Sequence, residues 1–128
     1  MSDAKTWALE IDRDWAEMQG DVRDAIQVVA LQGVKRLDLM SRVDTGHFRR
    51  NWSTTLGAPD ATIKQGEDKT GQATVAANRA VIEAYPEDAF PPIYIQNNVE
   101  YAIYLEIKDN MVAITTAELA ALWEAQEI

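Results

Sequence analysis

Cysteine is absent from this sequence of 128 residues, which excludes disulfide bonds and thiolate metal sites. His47 is the single histidine, so a metal site would need several carboxylates that converge from elsewhere in the chain. No stretch approaches the roughly 20 apolar residues of a membrane span. The N-terminus has no apolar run of the kind found in signal peptides, and the glycines lack the spacing of a phosphate loop. We therefore expect a globular protein without a cofactor or a membrane partner.

Basic residues are also scarce, because 12 lysines and arginines face 21 aspartates and glutamates, giving a formal net charge of −9. Such a balance argues against a general phosphate-binding surface. The bases are unevenly placed. Residues 25–57 form a basic island in which two acidic residues accompany five basic ones: Lys35, Arg36, Arg42, Arg49 and Arg50.

Apolar residues recur at steps of three and four over residues 5–40, which predicts a long amphipathic helix. Gly20 could interrupt it, but the apolar stripe keeps its phase there, and we expect one continuous helix. Such a helix is about 50 Å long, whereas a compact domain of this size is about 36 Å across. One end should therefore overhang. Because Trp7 and Trp15 lie on that end of the stripe, we expect it to pack on a neighbouring subunit.

The remainder of the chain alternates turns, short strands and helices. We predict a turn and strand over 41–57, a mobile polar loop over 58–71 and a second helix over 72–84. A sheet over 93–115 includes the strands "IYIQN" and "MVAIT", and the C-terminal helix covers 116–127. The stretch "YAIYLEI" fits either a strand or a helix. The fold class is α+β in a single domain, 1–128, with the long helix packed on a small, mainly antiparallel sheet.

The triplet Asp44-Thr45-Gly46 also occurs at the active site of aspartic proteases, where two carboxylates share one proton. A dimer could supply the second carboxylate. In that family Ser or Ala usually follows the glycine and an apolar strand precedes the triplet; here His47 follows, and a helix end precedes it. We therefore interpret the triplet as a hydrogen-bonded turn instead of a catalytic site, and we expect no enzyme activity.

Arg42, Arg49 and Arg50 lie on both sides of this triplet. Arginine forks suit phosphate and carboxylate alike. In a chain this acidic we favour carboxylates of a neighbouring subunit or another protein, and the alternative is a solvated basic turn.

Two segments together resemble a known family. "SRVDTGHFRRNW", after a long helix, is similar to the Val-Asp-Thr-Gly corner of tail-completion and head–tail joining proteins of tailed bacteriophages, the lambda Z-like group. "IYIQNNVEYAIYLE" followed by "MVAITTAEL" resembles their downstream block, in which Asn-Asn, Tyr-Ala and Leu-Glu follow a strand. The match runs over most of the chain. It departs at Arg42, where the family often has Pro, and at the shortened loop Ile107–Asn110, which puts the role of that loop in doubt.

The resemblance implies a structural virion protein, assembled in the host cytoplasm and located at the neck or tail. It further implies a ring, commonly six-fold, that contacts head connector or tail terminator proteins. Genome DNA would pass through the lumen without specific binding, which suits an acidic wall. A tail terminator or other connector ring protein, and an acidic adaptor unrelated to phage, remain alternatives. The candidate interface residues are Trp7, Trp15, Arg42, Asp44, Arg49, Arg50, Asn97, Asn98, Tyr101 and Glu106.

Overall fold

The computed structural model describes the backbone of residues 4–126 and the side chains of Glu10 and residues 12–126. This part of the chain is mixed helix and sheet, which confirms the α+β prediction. The elements, in chain order, are α1 (Ala4–Met40), α2 (His47–Arg50), β1 (Trp52–Leu56), α3 (Gln72–Glu83), β2 (Ile93–Asn97), α4 (Ala102–Asp109) and α5 (Met111–Glu124).

Helix α1 is continuous over 37 residues, as the phase of its apolar stripe predicts. It passes through Gly20 without a break, and at 1.5 Å per residue it is about 55 Å long. Residues from Ala25 onward contribute to the core, while every side chain from Asp12 to Met18 is exposed. The N-terminal end therefore overhangs the folded body. The side chain of Trp7 lies outside the described residues.

The core packs against the C-terminal half of α1 in two clusters. Ala30 and Val34 meet Ile82 of α3, and a larger cluster surrounds the end of the helix with five buried residues: Leu37, Phe48, Trp52, Val99 and Met111. Gly33 allows the close approach of α5, because a Cβ there would lie 2.9 Å from Leu119 Cδ1.

Strands β1 and β2 form a two-stranded antiparallel sheet that pairs Trp52 with Asn97 and Leu56 with Ile93. Helix α3 packs on β1. A buried hydrogen bond joins the two elements, since the Thr54 hydroxyl lies 2.6 Å from Asn78 Oδ1. The strands predicted from "NWSTTLG" and "IYIQN" and the helix predicted over 72–84 are confirmed.

The strand predicted for "MVAIT" is wrong, because these residues form the first turns of α5. The C-terminal helix therefore begins at Met111 instead of residue 116. Met111 and Thr115 are buried one turn apart. The burial that a helix gives these side chains outweighs the strand preference of the β-branched residues in the segment. The undecided stretch "YAIYLEI" is helical and belongs to α4. Residue 127 lies outside the described residues.

Between α1 and α3, the chain forms the short helix α2, which the prediction of a turn and strand over 41–57 did not include. Residues 58–71 form a loop without helix or strand, as predicted. The mobility of that loop stays a prediction.

Candidate functional site at the Asp-Thr-Gly corner

Gly46 makes the tight turn between α1 and α2, which is called the corner below. Its φ of 92° lies in the left-handed region that favours glycine. Its carbonyl accepts hydrogen bonds from the backbone N–H of Arg50 and of Asp68, each at 3.0 Å. A Cβ at this position would lie 2.7 Å from the Asp68 carbonyl carbon. The Thr45 hydroxyl accepts a bond from the His47 N–H at 3.2 Å, so the triplet forms a hydrogen-bonded turn.

Asp68 fastens this corner to the start of α3. Its carboxylate accepts hydrogen bonds from Gly71 N–H at 3.0 Å and from the backbone and hydroxyl of Thr74 at 2.8 and 2.7 Å. Desolvation of the carboxylate opposes ionisation, but these bonds outweigh it and lower the pKa of Asp68. The ionised Asp68 thus caps orphan N–H groups in the first turn of α3.

Arg49 turns inward to the last turn of α1. Its Nε lies 3.3 Å from Asp38 Oδ1, although the N–H is not aligned for a hydrogen bond. Its other nitrogens donate to the carbonyls of Lys69 and Asp38, at 2.6 and 3.0 Å. This corrects the expectation that Arg49 is available to a neighbouring subunit, because its charge neutralises a buried carboxylate of the same chain. Burial raises the pKa of Asp38, and Arg49 partly offsets that effect.

Arg42 is likewise paired within the chain. Its Nε and Nη2 donate to the two carboxylate oxygens of Asp109 at 2.6 and 2.7 Å. The fork joins the second residue after α1 to the end of α4, and its hydrogen bonds lower the pKa of Asp109. A partner would therefore have to compete with Asp109 for this guanidinium, and the role of Arg42 in an interface stays a prediction.

Asn97 and Asn98 serve as internal ties. Asn97 Nδ2 donates to the Phe48 carbonyl at 2.8 Å, which joins β2 to α2. Asn98 Nδ2 donates to the carbonyls of Asp60 and Thr62 at 2.6 and 3.1 Å, which holds the start of the 58–71 loop. Both amides are thus engaged inside the chain, and their role in an interface stays a prediction.

Glu106 caps the first turn of α5, the part of that helix for which the sequence predicts a strand. Its carboxylate oxygens accept hydrogen bonds from the backbone N–H of Val112 at 2.8 Å and of Ala113 at 3.2 Å. Asn110, with a left-handed φ of 52°, makes the sharp junction between α4 and α5. The shortened loop Ile107–Asn110 is therefore the last turn of α4 and this junction. Glu106 acts as a cap inside the chain, and its role in an interface stays a prediction.

A cleft of about 260 Å³ opens at the corner. It brings together three predicted residues, Arg42, Asp44 and Tyr101, above the apolar side chains of Phe48 and Leu105. The Tyr101 ring lies 6.0 Å from the Phe48 ring. An apolar floor with a charged rim suits one side chain of a bound protein.

A second surface feature was missed in the sequence. Arg50, Ile63 and Lys64, here called the Lys64 patch, lie on α2 and the neighbouring loop. Ile63 is 41% exposed. Partial burial and then the charge of Arg50 lower the pKa of Lys64, and the carboxylate of Asp60 partly offsets these effects. The Arg50 Nε lies 3.9 Å from the position that a Cβ would take at Gly66, two residues after Lys64. The isolated "IK" inside a polar loop was the only signal of this patch in the sequence.

The Lys64 patch is held in position by its backbone. Asn51 Oδ1 accepts a hydrogen bond from the Lys64 N–H at 2.7 Å, and Asn51 Nδ2 donates to the Lys64 carbonyl at 3.2 Å. His47 Nδ1 donates to the Gly66 carbonyl at 2.9 Å. The patch is therefore presented on a fixed backbone, although it belongs to a long loop.

Helix α4 carries an exposed apolar face. Ile103 is 76% exposed, Tyr104 58% and Ile107 73%, and the Lys108 ammonium lies 4.8 Å from the centroid of the Tyr104 ring. Contiguous exposed apolar side chains of this kind mark interaction surfaces.

Comparison of the chain with protein-family models, curated proteins and solved structures gave no match. Among the residues that the structure describes, no group of three or more carboxylate and imidazole side chains could hold a metal ion. In the same part of the chain, no helix combines the length and the apolar character that crossing a membrane requires.

Proposed function

We propose that this chain is a structural virion protein of a tailed bacteriophage, which completes the tail or neck and joins the tail to the DNA-filled head. It acts through protein–protein contacts, as a ring of identical copies, without enzyme activity or a cofactor. Its partners at the two faces of the ring are head connector or tail terminator proteins. Assembly takes place in the host cytoplasm.

The observation that carries this proposal is the overhanging end of α1, where Trp15 is 57% exposed and Met18 44% exposed. These side chains belong to the apolar stripe that is buried further along the same helix. Leaving them in water forgoes roughly 1.5–3 kcal/mol per large side chain. A helix end of this kind is explained by a partner surface that covers it.

The two apolar surfaces are well separated, so a neighbouring copy can cover the overhang while a head connector or tail terminator protein covers the α4 face. Trp15 lies near the start of α1, whereas the α4 face at Ile103 and Ile107 belongs to the body near the other end, where Arg42 pairs with Asp109. A ring forms when the overhang of one copy meets a different surface of the next and the rotation closes.

The resemblance to tail-completion proteins supports the proposal through the fold. Gly46, Asn97, Asn98 and Glu106, which carry much of the matching pattern, make the turn, the loop ties and the helix cap described above. The pattern thus marks positions that build this corner. A shared corner supports a shared architecture, and the assembly role is what the resemblance implies.

Disruption of the gene in the phage that carries it tests the proposal. We expect electron microscopy to show filled heads and separate tails of normal length, with infectivity restored when the wild-type gene is supplied. Normally joined particles would contradict the role. Tails of uncontrolled length would point to a tail terminator instead. Asp44→Asn should complement as well as the wild type, and failure with an intact fold would favour the protease alternative.

A further inference from the structure

The overhang is acidic as well as apolar. Between residues 10 and 18 it carries four acidic residues and one basic one, and the acids flank the exposed Trp15 and Met18. Glu17 and Asp14 lie on exposed turns of this segment. Two overhangs packed against each other would bring like charges together, which is unfavourable. The surface that covers the overhang should therefore be apolar with a basic rim.

The Lys64 patch has this complementary character. Ile63 offers an exposed apolar side chain. Arg50 and Lys64 offer two positive charges on adjoining backbone, because Asn51, the residue after Arg50, bonds both the N–H and the carbonyl of Lys64. Arg42, Arg49 and Arg36, by contrast, are paired with the carboxylates of Asp109, Asp38 and Glu118 within the chain. Among the described residues of the basic island, Arg50 and Lys35 form no salt bridge within the chain.

One copy cannot bring its own overhang to its own Lys64 patch. The patch lies beside α2, which the contact between Arg49 and Asp38 fixes at the C-terminal end of α1. Glu17 precedes Asp38 by 21 residues of unbroken helix, a distance of about 32 Å. A contact between overhang and patch must therefore join two copies, head to tail.

We propose that the acidic overhang of one copy docks on the Lys64 patch of the next. Trp15 and Met18 cover Ile63, while Asp14 and Glu17 meet Arg50 and Lys64. This contact identifies the two surfaces that join neighbouring copies in the proposed ring. It rests on the proposed function only in that the contacts close into a ring. Because the patch is held on a fixed backbone, little ordering is needed on binding.

The natural absence of cysteine makes a cross-linking test direct. The double variant Glu17→Cys with Lys64→Cys, oxidised under mild conditions, should give a ladder of disulfide-linked multimers on a non-reducing gel. A mixture of the two single variants should stop at the dimer that joins one of each. The matched control pairs Glu17→Cys with Arg79→Cys, an exposed position on α3, and should give at least tenfold less product.

Three results would overturn the contact. Equal cross-linking in the control would mean random collision. Efficient dimers of the Glu17→Cys single variant alone would mean that two overhangs pair symmetrically. If the wild type binds DNA and Arg50→Glu with Lys64→Glu does not, while association between copies measured by sedimentation is unchanged, the patch belongs to nucleic acid instead. The head–tail joining role is tested separately, because cross-linking can succeed while tails join normally without this gene.

Discussion

The Arg49 guanidinium lies 3.3 Å from the carboxylate of Asp38 and ties α2 to the last turn of α1. Both side chains are largely withdrawn from solvent, with 12% and 8% of their surface exposed. Removal of one partner from such a pair leaves an uncompensated charge. The corner thus depends on Arg49 for its fold, and charge reversal at this position would test folding before it tested assembly.

Arg49→Met should lower the free energy of unfolding by about 3 kcal/mol at neutral pH, because the buried Asp38 carboxylate loses its neutralising charge. The loss should shrink toward pH 4. The folded-state pKa of Asp38 is already raised by burial and rises further in the variant, so its ionisation costs stability as the pH increases through that value. Urea unfolding at several pH values measures both effects.

Arg79→Met is the matched control for that experiment. Arg79 is exposed and pairs with Glu83 one turn along α3, a type of surface pair that contributes about 0.3–0.5 kcal/mol. We expect a small loss with little dependence on pH. An equally small loss for Arg49→Met would contradict the structural role of its pair with Asp38.

Gly46→Ala should destabilise the fold strongly. The substitution adds a methyl group to a residue with positive φ and places it against the backbone of Asp68. Gly57→Ala separates the two causes, because Gly57 also has a positive φ, of 86°, but has open space around its Cβ position. The control should lose about 1 kcal/mol through backbone strain, and Gly46→Ala clearly more. Equal losses of unfolding free energy in the two variants, measured by chemical denaturation, would mean that the close contact with Asp68 does not contribute.

Glu106→Ala should cost about 1 kcal/mol, the usual magnitude for loss of a side-chain cap. The variant leaves the N–H groups of Val112 and Ala113 without the carboxylate. The control, Glu100→Ala, changes an exposed acid just before α4 and should be nearly neutral. Hydrogen exchange should become faster at the first turn of α5 in Glu106→Ala alone; unchanged exchange there would argue against the cap.

Much of the fold could be predicted from local patterns. The apolar stripe of α1 identified a long helix, since a period of 3.6 residues maintained across Gly20 leaves few alternatives. Strand β2 was found because β-branched and aromatic residues are bounded by Asn97 and Asn98. For Met111 to Thr115 the same reasoning failed, because the Glu106 cap and burial of Met111 act through contacts that local composition does not encode.

The candidate site was only partly foreseen, for a related reason. The sequence indicated that Arg42 and Arg49 would pair with carboxylates, and they do, but the partners are Asp109 and Asp38 of the same chain. Residue type predicts the chemistry of a pair, whereas only the three-dimensional arrangement decides whether the partner is internal. The Lys64 patch could not be predicted, because Arg50 and Lys64 are brought together by hydrogen bonds of Asn51.

Trp15→Ala should change stability and association differently. Trp15 is 57% exposed in the single chain, so the free energy of unfolding of the monomer should change by less than about 0.5 kcal/mol. Association between copies should weaken at least tenfold, because the aromatic side chain is the largest exposed anchor in the described overhang. Sedimentation across a concentration series, with unfolding measured in parallel, distinguishes the two. Unweakened association would remove Trp15 from the contact.

Assembly through the two ends of α1 is tested most directly by sedimentation of two charge-reversed variants, apart and mixed. One variant reverses the charge of the overhang through Asp14→Lys and Glu17→Lys. The other reverses the charge of the Lys64 patch through Arg50→Glu and Lys64→Glu. The control for the first variant is Glu87→Lys with Asp88→Lys. We predict that each variant alone stays at the 14.3 kDa of the monomer, that the control associates like the wild type and that mixing restores association. Association of either variant alone at wild-type strength, or none in the mixture, would contradict head-to-tail assembly.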